Sequence, residues 1–465
     1  MVKLVFLQLN EVNFRFIDKY IEQGKLPNFA ALFRQSPYVV TQSETEHHLA
    51  NPWIQWPTVH TGKPFSEHGV FRLGDIAYTN HPHIYEVLED HGVRVGAMSP
   101  FNAKNNTKHA AFFVPDPWTD TRFDGPASLR WIYDAVKQVT DDYANKKIAP
   151  GSIARLVSAL AVNGRLSSLP SYMKETLDYV FKGAVWARAT ICDRLLADAF
   201  ITQCKKTKPD FATLFMNGGA HLQHHYLFSS SAYDGERENP DWQCPKGTDP
   251  LGTILQMYDD VLGEIRREMP EARLMIATAL HQDAHERETF YFRLDDHETF
   301  LDDIGLQYKS TYRLMTEDFV VMFENEEEAS KGQQLLENVK LHNTDPIFYV
   351  ETGDSAVRTL ATYDRIFHIE NRGNSLYIQL RPSCAAIPET SQVMSGNKVI
   401  DDFGQRVSFA QYKNTHHHGD GYFLDTGQIA PDTQPIQLTS LFDRVLQAFN
   451  ISYAPHQPVP HLAAE

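Results

Sequence analysis

Imidazoles, one carboxylate and a set of side-chain amides stand where short apolar runs give way to polar residues. Leu4 to Leu9 is a nearly continuous apolar run that ends in Asn10-Glu11. Phe211 to Met216 runs into Asn217, and Arg273 to Thr278 leads to His281 and Gln282. Runs of this kind read as buried parallel strands, and ligands of open α/β sheets bind beyond the strands' carboxyl ends. Glu11, paired with His281 or His417, can serve as an acid/base couple that needs no metal; Asp283 and Asp420 are weaker candidates for that role. Asn10, Asn13, Gln55, Asn217 and Gln282, with the ring faces of Trp53 and Trp56, suit a hydroxyl-rich or planar ligand, because an amide both donates and accepts. His60 and His225 are candidates to join them. The competing readings are structural: Glu11 as a carboxylate favoured at a helix N-terminus, the histidines as hydrogen-bonding groups of a metal-free cleft, and the run Glu44, Glu46, His47 and His48 as a solvated loop.

A second group of residues carries a resemblance. In Asn51 to Gly69, NPWIQWPTVHTGKPFSEHG, the pairs Trp56-Pro57, Thr61-Gly62 and His68-Gly69 follow one another. Leu26-Pro27-Asn28 precedes them. Later come His224 after the Asn217 junction, the helix pattern Tyr258, Asp259 and Gly263, then Leu280-His281-Gln282, and finally His417 with Gly421. Together, from Leu4 to Gly421, these resemble the alkaline phosphatase superfamily in its type I phosphodiesterase and nucleotide pyrophosphatase branch. The resemblance implies an α/β fold: a three-layer sandwich with a mostly parallel central sheet, a helical insertion and an α+β insertion. It places the core in residues 1–126, 209–294 and 409–453, the helical insertion in 127–208, the α+β insertion in 295–408 and a loose tail in 454–465.

The same resemblance implies a changed site. Where the family has a Thr or Ser nucleophile this chain has Gln55, and an amide cannot attack. Asn10, Ala220 and Leu280 stand at positions of metal-binding aspartates, so His224, His281 and His417 are the matched ligands that remain. Two divalent ions roughly 4 Å apart need carboxylates to offset them, and three neutral imidazoles do not supply that charge. The leading expectation is therefore no cofactor, with one divalent metal, zinc or manganese, on His224, His281 and His417 as the alternative. The activity expected is cleavage or transfer at a phosphate- or glycosyl-type bond of a sugar-containing or nucleotide-sugar-like substrate, by a route without the Thr nucleophile and the paired metals. A single-metal phosphodiesterase or phosphatase and a silent glycan- or partner-binding protein are the alternatives.

The elements that must position these residues follow from periodicity. A helix is expected from Phe14 to Gln23 with Gly24 as its stop, another from Leu26 on, a third over Ile84 to His91 and a fourth over Ile254 to Arg267. At 465 residues with 42% hydrophobic side chains the chain can build a sizeable core. A net charge of −16 without a basic stripe excludes nucleic acid as a partner and leaves a small molecule or glycan. Cys192, Cys204, Cys244 and Cys384 form no CxxC pair and read as reduced core thiols. The apolar start is too short for a signal-peptide core or a membrane span, so a cytoplasmic location is expected, with a homodimer left open.

Overall fold

The computed structural model describes residues 1–44, 46, 49–144, 158, 160–313, 318–342, 349–352, 356–359, 365–380, 387, 389–428 and 432–453. His47, His48, Cys384 and the expected loose tail lie outside the described residues. Two compact units emerge: Met1–Thr140, Ala149–Asp283 and His417–Glu465 form one, and Asp141–Ile148 with Ala284–His416 the other.

The first unit is built on β1 (Leu4–Leu9), whose six residues are all buried. It pairs in parallel with β5 (Phe211–Met216) on one side and β6 (Arg273–Ala277) on the other. β3 (Val95–Met98) and β4 (Phe112–Val114) continue the parallel sheet beyond β5. On the other edge the strand Gly421–Asp425 runs antiparallel between β6 and β2 (Val39–Gln42), and Ile436–Gln437 closes the sheet in parallel with β2. Among the described residues this is a mostly parallel eight-stranded sheet with one reversed strand.

Helices cover both faces, which is why the strand sequences are apolar at successive positions rather than at alternate ones. Leu4 and Phe6 pack with Trp56, Val59, Leu88 and Leu441 on one face. On the other, the helices Ala187–Thr207, Gly218–Tyr226 and Pro250–Glu268 pack against one another. The result is a three-layer α/β sandwich.

The reversed strand has a consequence for function. Its first residue lies at the edge where β1, β5 and β6 end, so the approach through His417 meets the three junctions that follow those strands. Cys192, Cys204 and Cys244 are free thiols, and among the described residues no helix is long and apolar enough to cross a membrane.

The second unit has a four-stranded antiparallel sheet, Phe367–Asn371, Ser375–Leu380, Asp318–Met322 and Ser310–Arg313 in spatial order. Its own core holds Phe300, Phe319, Val321, Leu336, Leu376 and Ile378.

Candidate metal centre

The end of β1 fixes the first side chain. Asn10 N–H donates to Met216 O at 3.0 Å and Glu11 N–H to Thr278 O at 3.2 Å, which ties the turn to both neighbouring strands. Glu11 stands at φ +57°, in the left-handed region. For a residue with a Cβ this conformation costs about 1–2 kcal/mol, so a glycine would be the unstrained choice. Leu26, Ser99, Asn102, Lys208, Ala279 and Asn450 share this region, so the strain shows that the surroundings over-determine Glu11 and does not by itself mark a function.

What holds Glu11 is a converging set of groups. Its Oε1 accepts from Asn10 Nδ2 at 2.8 Å, its Oε2 accepts from Gln282 Nε2 at 2.5 Å, and its backbone carbonyl accepts from Gln223 Nε2 at 2.9 Å. The same Oε2 lies 2.9 Å from His417 Nε2 and 3.2 Å from His224 Nε2. The two imidazole nitrogens are themselves 3.1 Å apart. Burial alone would raise the Glu11 carboxyl; the His417 charge and hydrogen bonds from His224 and His417 outweigh it and hold the group well below the ordinary carboxylate range.

Each imidazole has an identifiable support. His417 Nδ1 lies 3.2 Å from Asn51 Oδ1, at the N-terminus of the helix Pro52–Thr61. With the Nδ1 proton donated there, Nε2 carries a lone pair when the ring is neutral and donates to Glu11 when the ring is doubly protonated. His224 belongs to the helix Gly218–Tyr226, whose start is fixed by Asp193: Gly218 N–H donates to its Oδ2 at 2.7 Å, and Tyr258 Oη donates to the same oxygen at 2.5 Å while accepting from Gly219 N–H at 2.8 Å. A Cβ at Gly218 would come within 2.5 Å of Ile254, and one at Gly219 within 2.9 Å of Val12, which accounts for the Gly-Gly pair. Burial pushes the Asp193 carboxyl up to about 6 despite the hydrogen bonds from Tyr258, Gly218 and Asn217.

His281 is positioned differently. Its Nδ1 lies 2.6 Å from Asp420 O and its Nε2 3.3 Å from Asp283 Oδ2. Because a carbonyl oxygen only accepts, Nδ1 carries a proton, and Nε2 donates to Asp283 only when the ring is doubly protonated. Both nitrogens of His281 are thus directed at other partners, and the three-atom cluster of the described residues is Glu11, His224 and His417. The hydrogen bond from His281, and then its charge, hold the Asp283 carboxyl below its usual range against burial.

The amides singled out in the sequence are arranged around this cluster as a connected frame. Asn10 Oδ1 accepts from Trp56 Nε1 at 2.7 Å, and Asn10 Nδ2 also donates to Asn217 Oδ1 at 2.8 Å. Asn13 Nδ2 donates to Gln282 O at 2.9 Å and Asp283 Oδ1 at 3.2 Å, and Tyr422 Oη donates to Asn13 Oδ1 at 3.1 Å. Gln55 is fully buried and donates to Leu49 O at 2.9 Å; Trp56 is buried, whereas Trp53 is half-buried at the edge of the core. His60 faces Gln8, behind the site, and burial holds it well below its usual range. The His225 ring lies tilted against that of His221, and His225 accepts through its carbonyl from Asn239, while Glu44 accepts from Phe65 N–H. Asn51, Gln223 and Tyr422 were not singled out in the sequence. Asn51 opens the NPWIQWP stretch, but its partner is 366 residues away, and only the folded chain shows the pair.

No family model matches the sequence, and no curated protein matches it. Solved structures do resemble the chain. They belong to the alkaline phosphatase superfamily. Phosphonoacetate hydrolase from Sinorhizobium meliloti 1021 is 12% identical, covering 96% of this chain and 95% of its own, with a TM-score of 0.46. Human ectonucleotide pyrophosphatase/phosphodiesterase 5 is 10% identical over 98% and 96%, with a TM-score of 0.44. The alkaline phosphatase PafA is 10% identical over 97% and 96%, with a TM-score of 0.46.

The donor set fits one ion better than two. Ligand atoms around a tetrahedral zinc, each bound at about 2.0–2.2 Å, stand about 3.3 Å apart, and the triangle here has edges of 2.9, 3.1 and 3.2 Å. Two imidazoles and a carboxylate leave a divalent ion with one net positive charge and an open position, the pattern of catalytic zinc sites. The His224 and His417 side chains are 15% and 17% exposed, so solvent reaches both imidazoles. A second ion would need carboxylates where Asn10, Ala220 and Leu280 stand.

Proposed function

We propose that this protein hydrolyses a phosphate ester with a single divalent ion, zinc or manganese, held by Glu11, His224 and His417. The observation that carries the reading is the convergence of Glu11 Oε2, His224 Nε2 and His417 Nε2 at the carboxyl edge of the sheet. The three atoms stand at the separations that ligands of one ion have, and the same contacts serve as hydrogen bonds when an imidazole Nε2 carries a proton. The sequence resemblance supplies the reaction class.

An ion bound there would polarise a phosphoryl oxygen and acidify water. The chain's own residues do the rest. Glu11 supplies the negative charge, and Gln282 and Asn10 fix the direction of its two oxygens. Asn51 holds His417 in the tautomer whose Nε2 is free to bind, the outer-shell role that sets a ligand's orientation. Gln55 offers no nucleophilic atom, so water is the attacking group and no phosphorylated side chain forms. His281, with Asp283 on one nitrogen and Asp420 O on the other, is the group able to hold a proton and deliver it to a leaving oxygen. Trp53, partly buried against the core, offers a ring face that suits a sugar or base, which keeps a sugar-containing substrate within this reading.

The test is hydrolysis of p-nitrophenyl phosphate and bis(p-nitrophenyl) phosphate by protein stripped with chelator and then reloaded with zinc or manganese. Turnover that appears on reloading, with no phosphoprotein trapped on acid quenching, supports the proposal. Full turnover by the stripped protein, or a trapped phosphoprotein, contradicts it.

A further inference from the structure

We propose that the outward face of the helix Leu169–Lys182 is where two copies of this chain pair, an inference that does not depend on the metal reading. The helix is amphipathic the wrong way round for a monomer in water. Its inner face is polar and tied down: Tyr172 Oη donates to Asp198 Oδ2 at 2.9 Å, Ser168 Oγ just before it donates to Asp198 Oδ1 at 2.7 Å, and Glu175 is buried. Arg194 bridges Asp198 and Glu264, and Arg165 reaches Glu264 and Glu268, so a buried ion network anchors the segment.

The outer face carries the apolar side chains. Leu166 is 91% exposed, Phe181 78% and Met173 56%, with Leu169, Leu177 and Val180 beside them. Nine of the thirteen exposed large hydrophobic side chains among the described residues lie between Trp131 and Val185, which marks a patch rather than scatter.

The sequence of the face favours a second copy as its cover. Leu169, Met173, Leu177 and Phe181 recur at four-residue steps, and two such ridges interlock in the commonest class of helix packing. About a two-fold axis through the middle of the ridge, Leu169 meets Phe181 and Met173 meets Leu177 of the other copy. The same axis brings Lys174 of one copy toward Asp178 of the other. Lys174 and Asp178 flank the ridge with opposite signs, so the pairing surfaces do not repel, as a self-complementary interface requires. A lipid surface fits less well. Helices that lie on membranes show unneutralised basic residues at their polar edge, whereas Lys174 bonds Glu175 at 2.9 Å and Lys182 bonds Asp178 at 2.6 Å in a chain of net charge −16.

Sedimentation equilibrium of the full chain tests this. Twice the chain mass is expected for the wild type, and the single chain mass for Met173→Asp and Leu177→Asp, with an unchanged helical spectrum because neither side chain faces the core. Should those variants fail to fold, Leu166→Ser with Phe181→Ser, at side chains 91% and 78% exposed, is expected to give the single chain mass. A wild type that stays monomeric at tens of micromolar, a dimer that survives all these changes, or a monomer that co-sediments with phosphatidylcholine vesicles overturns the proposal.

Discussion

Glu11 concentrates the chemistry of the molecule in one side chain. It occupies a left-handed backbone position, is buried, and meets two imidazole nitrogens and an amide on a single oxygen. Replacing it by Gln keeps the shape and removes the charge. The expected result is an activity loss of about 100-fold or more, since acid/base and metal roles each contribute on that order, with far-ultraviolet circular dichroism unchanged. Asn51→Leu probes the support rather than the ligand: metal affinity measured against a competing chelator should fall about 10- to 100-fold, the usual effect of losing an outer-shell partner. Part of this site was legible before folding. His224, His417 and Glu11 follow apolar runs or matched motif positions, so their types and order pointed to them. Asn51 was not legible, because an amide at a helix start is usually a cap, and its role here depends on a strand from the far end of the chain.

At the scale of elements, the helix Gly218–Tyr226 depends on a buried carboxylate from another helix. Asp193 is raised to about 6 by burial, so between its unfolded value near 3.9 and its folded value the native state binds the proton more tightly than the unfolded chain. Its contribution to stability therefore grows as pH falls through that window and is least favourable above it. A tenfold change in proton affinity is worth about 1.4 kcal/mol, which bounds the effect at about 3 kcal/mol. Asp193→Asn, which retains an oxygen for Gly218 N–H and Tyr258 Oη, should be at least as stable as the wild type at pH 7. It should also show a flatter dependence of Tm on pH between 4 and 6, the region of the two pKa values. The short apolar strands were legible because burial on both faces leaves a continuous run: Leu4–Leu9 and Phe211–Met216 stand where the apolar runs placed them, and helix ends differ by a few residues. The long strands His281–Leu294 and Val407–His418 were not. Their residues alternate weakly, and strand pairing between segments so distant is a tertiary choice that local pattern does not encode.

For the whole molecule, one unit is stitched from three stretches of chain, and its sheet is complete only when Gly421–Asp425 sits between β6 and β2. A chain stopped after Asp283 lacks both that strand and His417. It should show no cooperative thermal transition, readable by calorimetry, because β2 would lose its neighbour and β6 would become an exposed edge. The α/β class and the parallel sheet were legible from the succession of apolar runs and helices. The deficit of carboxylates at Asn10, Ala220 and Leu280 was legible, and it is the ground for proposing one ion rather than two. What the sequence did not reveal is that Glu11 turns toward His224 and His417 while His281 turns to Asp283, since side-chain direction at a strand end follows from the turn and not from the order of residues.

One ion on three residues is a stoichiometry, and metal content per chain measures it. Elemental analysis of protein equilibrated with zinc and freed of excess should give close to one ion for the wild type and close to none for Glu11→Gln. Two ions per wild-type chain, no ion at all, or a single ion that Glu11→Gln retains at full occupancy would contradict a centre built on Glu11, His224 and His417.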